Sequence, residues 1–182
     1  ENPEGMLYPD TYFYTKGTLD IDLLLRANER LNTLLNAAWK ARLGALPYAN
    51  AYEALTMASI IEKESARNSE RGLIAAVFVG RLDLGMRLQS DPTTIYGMGD
   101  RYAGNIRRAD LLQETPYNTY RIDGLPPTPI ALSGEASIEA ALNPAASDYL
   151  YFVAKGDGSH QFSRNLEEHN AAVREYQLGS NN

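Results

Sequence analysis

Residues 70–82, ERGLIAAVFVGRL, carry apolar side chains nearly all round a helix, so the fold must cover this element on every side. Ser69 is placed to cap it. A core helix of that kind needs partners, and the chain supplies them. From Asp20 to Leu43 the residues Ile21, Leu24, Leu25, Leu31, Leu34, Leu35 and Ala38 recur at helical spacing, and Gly44 closes the run. A further helix is predicted from Asn50, with Glu53 in the capping-box position, and a last one from Asn165, with Glu168 at the same spacing, to Leu178. The segments YNTYRI (117–122) and YLYFVA (149–154) have strand composition. After the turn signal KGDGS, HQFS returns as the partner strand of a hairpin. Residues 1–17 read as an extended segment packed by its aromatics, and GLPPTPI cannot be regular structure. Residues 80–104, with five glycines and Pro92, predict a long ordered loop. Helices and a few clustered strands without alternation argue for an α+β fold: several helices around a buried core helix, with a small, mainly antiparallel sheet. No repeat or linker divides the chain, so residues 1–182 are read as a single domain.

A hydrophobic content of 44% over 182 residues is enough for a real core. The charge excludes several functions. With 23 acidic against 17 basic residues and a net charge of -6, the chain lacks the basic surface that nucleic acid demands. The absence of cysteine rules out disulfides, thiolate nucleophiles and cysteine zinc sites. The longest apolar run, LIAAVFV, is far below the roughly 20 residues that cross a bilayer. Opening on Glu1 without an initiator methionine or signal-like segment, the chain is expected to be a trimmed or processed product, any anchor lying outside it. There is no GxSxG, GxxxxGK[ST] or HExxH motif, and GMGDRYAG has the wrong spacing for a dinucleotide fingerprint. Two histidines, His160 and His169, cannot by themselves furnish a three-ligand metal site, so no metal or cofactor is expected.

The carboxylates are left. Advancing about 100° per residue, Glu64 falls between Ile60 and Ile61 in angle and shares the apolar face with Met57. A carboxyl so placed resists ionisation, and a neutral acid is what protonation of a leaving-group oxygen needs. The alternative is an ordinary helix contact with Arg67 or Asn68 that holds Glu64 ionised. Glu62 projects from the opposite side with Ala58 and Ala66 and reads as a solvated residue. In RLQSDPTTIYG, the residues Gln89, Asp91 and Tyr96 offer the amide, acid and phenol that sugar recognition uses. Equally, Asp91 before Pro92 can start a turn and Tyr96 can be a core aromatic. Asn118 and Tyr120 in YNTY carry the same two readings.

Taken as blocks, MASIIEKES, VFVGRLDLGMRLQSDPTTIYGMG, YNTYRIDGLPP and YLYFVAKGDGSHQFSRNLEEHN resemble the catalytic region of the YceG-like family of endolytic murein (peptidoglycan) transglycosylases. The likeness runs from YPDTYFY onward. It implies a lyase that cleaves the β-1,4 bond between N-acetylmuramic acid and N-acetylglucosamine to leave 1,6-anhydro ends, with the second acid of the EKE unit, Glu64, as the catalytic residue. It places Gln89, Asp91, Tyr96, Asn118, Tyr120, His160 and Phe162 as cleft residues. Members are implied to be single-pass proteins of the bacterial inner membrane, with a LysM-like region before the periplasmic catalytic part, and to accompany penicillin-binding proteins. Two other readings stay open: a muramidase using Glu64 with Asp91, and a non-catalytic cell-wall binding or scaffold domain.

Overall fold

The structure, a computed structural model, describes residues 3–179; the reading of the chain's start at Glu1 lies outside the described residues. Among them run seven α-helices, α1 (Asp20–Ala41), α2 (Ala51–Glu64), α3 (Asn68–Asp83), α4 (Asp91–Met98), α5 (Arg108–Leu112), α6 (Glu135–Leu142) and α7 (Leu166–Val173). One antiparallel hairpin, β1 (Tyr151–Ala154) and β2 (His160–Ser163), completes the α+β fold. No described helix is long and apolar enough to cross a membrane.

Two helices form the centre. Every residue of α2 from Ala54 to Ile61 is buried, and so is the run Ile74 to Phe78 of the expected core helix, α3. Leu31 and Leu35 of α1 and Ile138 and Leu142 of α6 close the core around Leu55, Met57, Ile60, Ile61, Ile74 and Phe78. The first two turns of α1 behave differently: Ile21, Leu24 and Leu25 lie on the predicted stripe but stay about half exposed. At the start of α2 the Asn50 side chain accepts from Glu53 N–H at 3.0 Å, as its spacing predicts. The Glu53 carboxylate reaches back one residue further than a standard box, to Ala49 N–H at 2.8 Å.

Three expectations need correction. The third helix begins at Asn68 with Arg67 at the cap, so Ser69 lies inside the first turn. Residues 80–104 are not one loop. Helix α3 runs on to Asp83, and α4 occupies Asp91–Met98 with Pro92 in its first turn, where proline's missing N–H costs nothing. Residues 117–122 form tight turns, closed by Arg121 N–H and Ile122 N–H on the Asn118 carbonyl at 2.8 and 3.0 Å.

Asn118 explains that last departure. Its buried amide donates to the carbonyls of Asp110, Leu111 and Gln113, and its Oδ1 accepts from Thr94 Oγ1 and Tyr120 N–H. One side chain thus satisfies the end of α5 and fastens it to α4. Asn118→Ala is expected to cost about 2 kcal/mol in urea unfolding, because several buried polar groups lose their partner together.

Glu62 also departs from its expected place. It is not a solvated residue: its side chain is 25% exposed and pairs with Arg71 Nη2 at 3.0 Å. The same carboxylate accepts from Gly134 N–H at 3.1 Å and Ser137 Oγ at 2.7 Å. The flank of α2 opposite Met57 is covered by α6, and Glu62 caps that helix.

The hairpin pairs Phe152 with Phe162 and Ala154 with His160. Gly156 and Gly158 turn it with φ of +87° and +80°, a region open to glycine at little cost. Phe152 meets Phe78 edge-on at 5.7 Å, seating the hairpin on α3.

Candidate active site

Helix α2 ends at Glu64, where Ser65 adopts an extended backbone and its N–H bonds to Ile61 O at 3.3 Å. The chain then turns sharply, Ser65 Oγ accepting from Arg67 N–H at 3.1 Å, so the Glu64 side chain is left at the edge of the core. Arg67 is drawn to the hairpin turn, where its Nη2 donates to Asp157 O at 2.5 Å. The helix stops before Arg67 and Asn68, so the alternative reading, a pairing of either with Glu64, is not met. Glu64 instead faces Ser90, whose Oγ donates to Oε1 at 2.5 Å.

Ser90 is itself fixed. Its N–H bonds to Thr119 Oγ1 at 2.9 Å, its carbonyl accepts from Thr93 Oγ1 at 2.7 Å, and the two threonine hydroxyls meet at 2.8 Å. All three hydroxyl residues are buried. Just before them Gln89 holds φ at +53°, the single non-glycine residue with positive φ among those described. A side chain in that region costs of the order of 1–2 kcal/mol, and the Gln89 N–H to Thr119 O bond at 3.2 Å helps hold it there.

Around Glu64 opens a cleft of about 440 Å³. Its walls come from α3 and the 88–91 segment on one side and from the hairpin and α7 on the other. Glu64, Gln89, Asp91, Tyr120 and His160 all line it. The Tyr120 hydroxyl donates to Asp91 Oδ1 at 2.6 Å. The remaining three predicted residues lie elsewhere: Tyr96 packs on the core against Tyr117 at 4.7 Å, Asn118 is the buried hub described above, and Phe162 packs on the core among the rings of Tyr149, Phe152 and His160.

Sequence reasoning passed over two groups that shape the cleft. Ser90 has no signal of its own beyond standing next to Asp91. Arg81 does have one, as a charge directly after the uncharged run of residues 72–80. It is buried, donates through Nε to Leu150 O at 2.7 Å and through Nη1 to Leu88 O at 2.6 Å, and so ties the two walls together. Its guanidinium lies 5.1 Å from the Tyr151 ring centroid.

The site favours a protonated acid. Burial raises the Glu64 pKa, the Ser90 hydrogen bond and the Arg81 charge pull it down, and Asp91 pushes it up, leaving it at about 7. At neutral pH both forms of Glu64 are therefore populated, so the group can either give or take a proton. Burial and the Arg81 charge also depress the pKa of His169, which stacks on Tyr151 at 5.3 Å.

A model of the YceG-like family matches residues 1–175. The chain is 38% identical over 173 residues to an endolytic murein transglycosylase of Bacillus subtilis strain 168, covering 95% of this chain and 48% of that protein. It is 35% identical over 182 residues to one of Streptococcus pneumoniae strain R6, covering 95% of this chain and 32% of that one. A 2.6 Å crystal structure of a yceG-like protein from Listeria monocytogenes is similar, with a TM-score of 0.79, 40% identity, and coverage of 93% of this chain and 55% of that one. The chain thus spans about half or less of the length of the curated relatives it matches.

Proposed function

The chain belongs to the YceG-like family, and on that premise we propose that it is the catalytic domain of an endolytic peptidoglycan lytic transglycosylase. The carrying observation is Glu64, a carboxyl that keeps its proton near neutrality at the floor of a cleft. Glu64 gives its proton to the glycosidic oxygen between N-acetylmuramic acid and N-acetylglucosamine as the bond to the muramyl C1 breaks. Its carboxylate then takes the proton of the same sugar's 6-hydroxyl while O6 bonds to C1. The products are a 1,6-anhydro end and a free 4-hydroxyl. A hydroxyl already held beside C1 can act at an effective molarity of about 10⁵ M or more, so neither an activated water nor a second carboxylate is required. Names of the curated relatives support the substrate and the endolytic action. By family likeness the domain works in the periplasm, tethered by a single inner-membrane span beyond a LysM-like region, alongside penicillin-binding proteins.

Digestion of purified sacculi followed by mass analysis of the released ends tests the reaction. Anhydro-muramyl ends are expected, and reducing ends in their place overturn it. Cleavage requires neutral Glu64, so kcat/KM is expected to hold level on the acid side and to fall as pH rises through about 7. A profile flat from pH 5 to 8 contradicts the assignment. Asp91→Asn removes a charge that raises the Glu64 pKa, so the alkaline fall should move to lower pH while the product stays anhydro. Hydrolysis by a carboxylate pair would instead lose the reaction at that substitution.

A further inference from the structure

Glu70 stands in the first turn of α3, outside the cleft lining, and both of its carboxylate oxygens are committed to one residue of the opposite wall. Oε1 accepts from the His160 backbone N–H at 3.2 Å, and Oε2 meets the ring Nδ1 at 2.7 Å. The pair is well covered, the side chains being 11% and 15% exposed for His160 and Glu70. Burial works to raise the Glu70 pKa, but the two His160 hydrogen bonds, coulombic attraction to His160 and the Arg67 charge outweigh it and hold the carboxyl below its ordinary value. An ionised carboxylate only accepts, so Nδ1 carries the ring hydrogen. In the neutral ring Nε2 is then the lone-pair nitrogen, and it has no protein partner among the described residues. The ring lines the cleft and is braced edge-on by Phe152 at 5.4 Å and 87°. A bond that sets tautomer and ring angle from behind is the usual way a histidine is prepared to act through its other nitrogen.

Resting on the glycan reading of the cleft, we propose that Glu70 is a positioning residue that fixes His160 in the Nδ1–H form, so that Nε2 accepts a hydrogen bond from a hydroxyl or acetamido N–H of the bound sugar. A mere clamp on the hairpin is a separate job, because Arg67 already ties the hairpin turn through Asp157 O.

Nitrogen-15 NMR of the histidine rings reads the tautomer directly. Wild-type His160 is expected as Nδ1–H. In Glu70→Gln the amide can donate to Nδ1, so the Nε2–H form should appear. On glycan strands stripped of peptide, Glu70→Gln should raise KM by roughly five- to tenfold, the worth of about one hydrogen bond, with kcat changed far less. His160→Phe should raise KM to the same extent, and the double variant no further. Glu70→Asp should recover most of the affinity, and Arg67→Ala, which frees the hairpin turn and removes one charge acting on Glu70 but leaves both of its hydrogen bonds to His160, should leave the tautomer unmoved. A ring that stays Nδ1–H in Glu70→Gln overturns the inference alone, as does an unchanged KM when the tautomer has switched. A wild-type protein that cleaves no strand overturns the functional reading and the acceptor role together, even with the tautomer as assigned.

Discussion

Glu64→Gln is expected to reduce strand cleavage by about 10²–10⁴-fold, the range in which a positioned general acid contributes. The substitution keeps shape and keeps the contact with Ser90, whose hydroxyl can donate to a glutamine carbonyl as it does to Glu64 Oε1. What disappears is the transferable proton. A fold defect would mimic this loss, but the expected change in stability has the opposite sign. Glu64 has a folded pKa of about 7 against an ordinary value of 4.5. Between those values the native state holds a proton that the unfolded chain has released, so wild-type stability declines as pH climbs from 4.5 to 7. Glutamine does not titrate. The variant should therefore resist urea better than the wild type at pH 8, the gap closing towards pH 5. Sacculus digestion and two urea titrations measure both effects, and undiminished cleavage by the variant removes Glu64 from the chemistry.

Glu62→Ala, two residues earlier on the same helix, is expected to do the reverse. The Glu62 carboxylate holds Arg71, Gly134 N–H and Ser137 Oγ together. Removing it strands a guanidinium that is 11% exposed and leaves the start of α6 uncapped, at a cost of about 3 kcal/mol. Glu62→Gln should lose less, since an amide oxygen still accepts from Gly134 and Ser137. Equal unfolding midpoints for wild type and Glu62→Ala would show that α6 is held by its apolar face alone.

The contrast between these neighbours marks what could be read from the sequence. Periodicity placed Glu64 correctly beside Met57, Ile60 and Ile61, all fully buried, because those contacts follow from helix geometry alone. It misplaced Glu62 because its partners sit on other elements, Arg71 on α3 and Gly134 and Ser137 at the start of α6, over seventy positions away, and an eight-residue helix with few apolar anchors gives little periodic signal. Caps at Asn50 and Asn165 and the 151–163 hairpin were legible, being local chemistry. At 117–122 the β-favouring side chains were overruled by one buried amide, Asn118, that satisfies backbone groups better than a strand would. Of the residues lining the cleft, Glu64 was legible from periodicity, Gln89 and Asp91 from residue type, Tyr120 only as one of two readings, and His160 through block likeness alone. Ser90 and Arg81 were not, since each matters only through atoms that folding brings to it.

Glu64 owes part of its character to its address. It closes α2, and the unsatisfied carbonyls of a final helical turn carry about half an elementary negative charge. Peptide dipoles aligned along the whole rod therefore oppose a second negative charge at that end, whatever the neighbouring side chains do. A copy of the same cleft built on a loop would have its groups in place yet release the proton at lower pH.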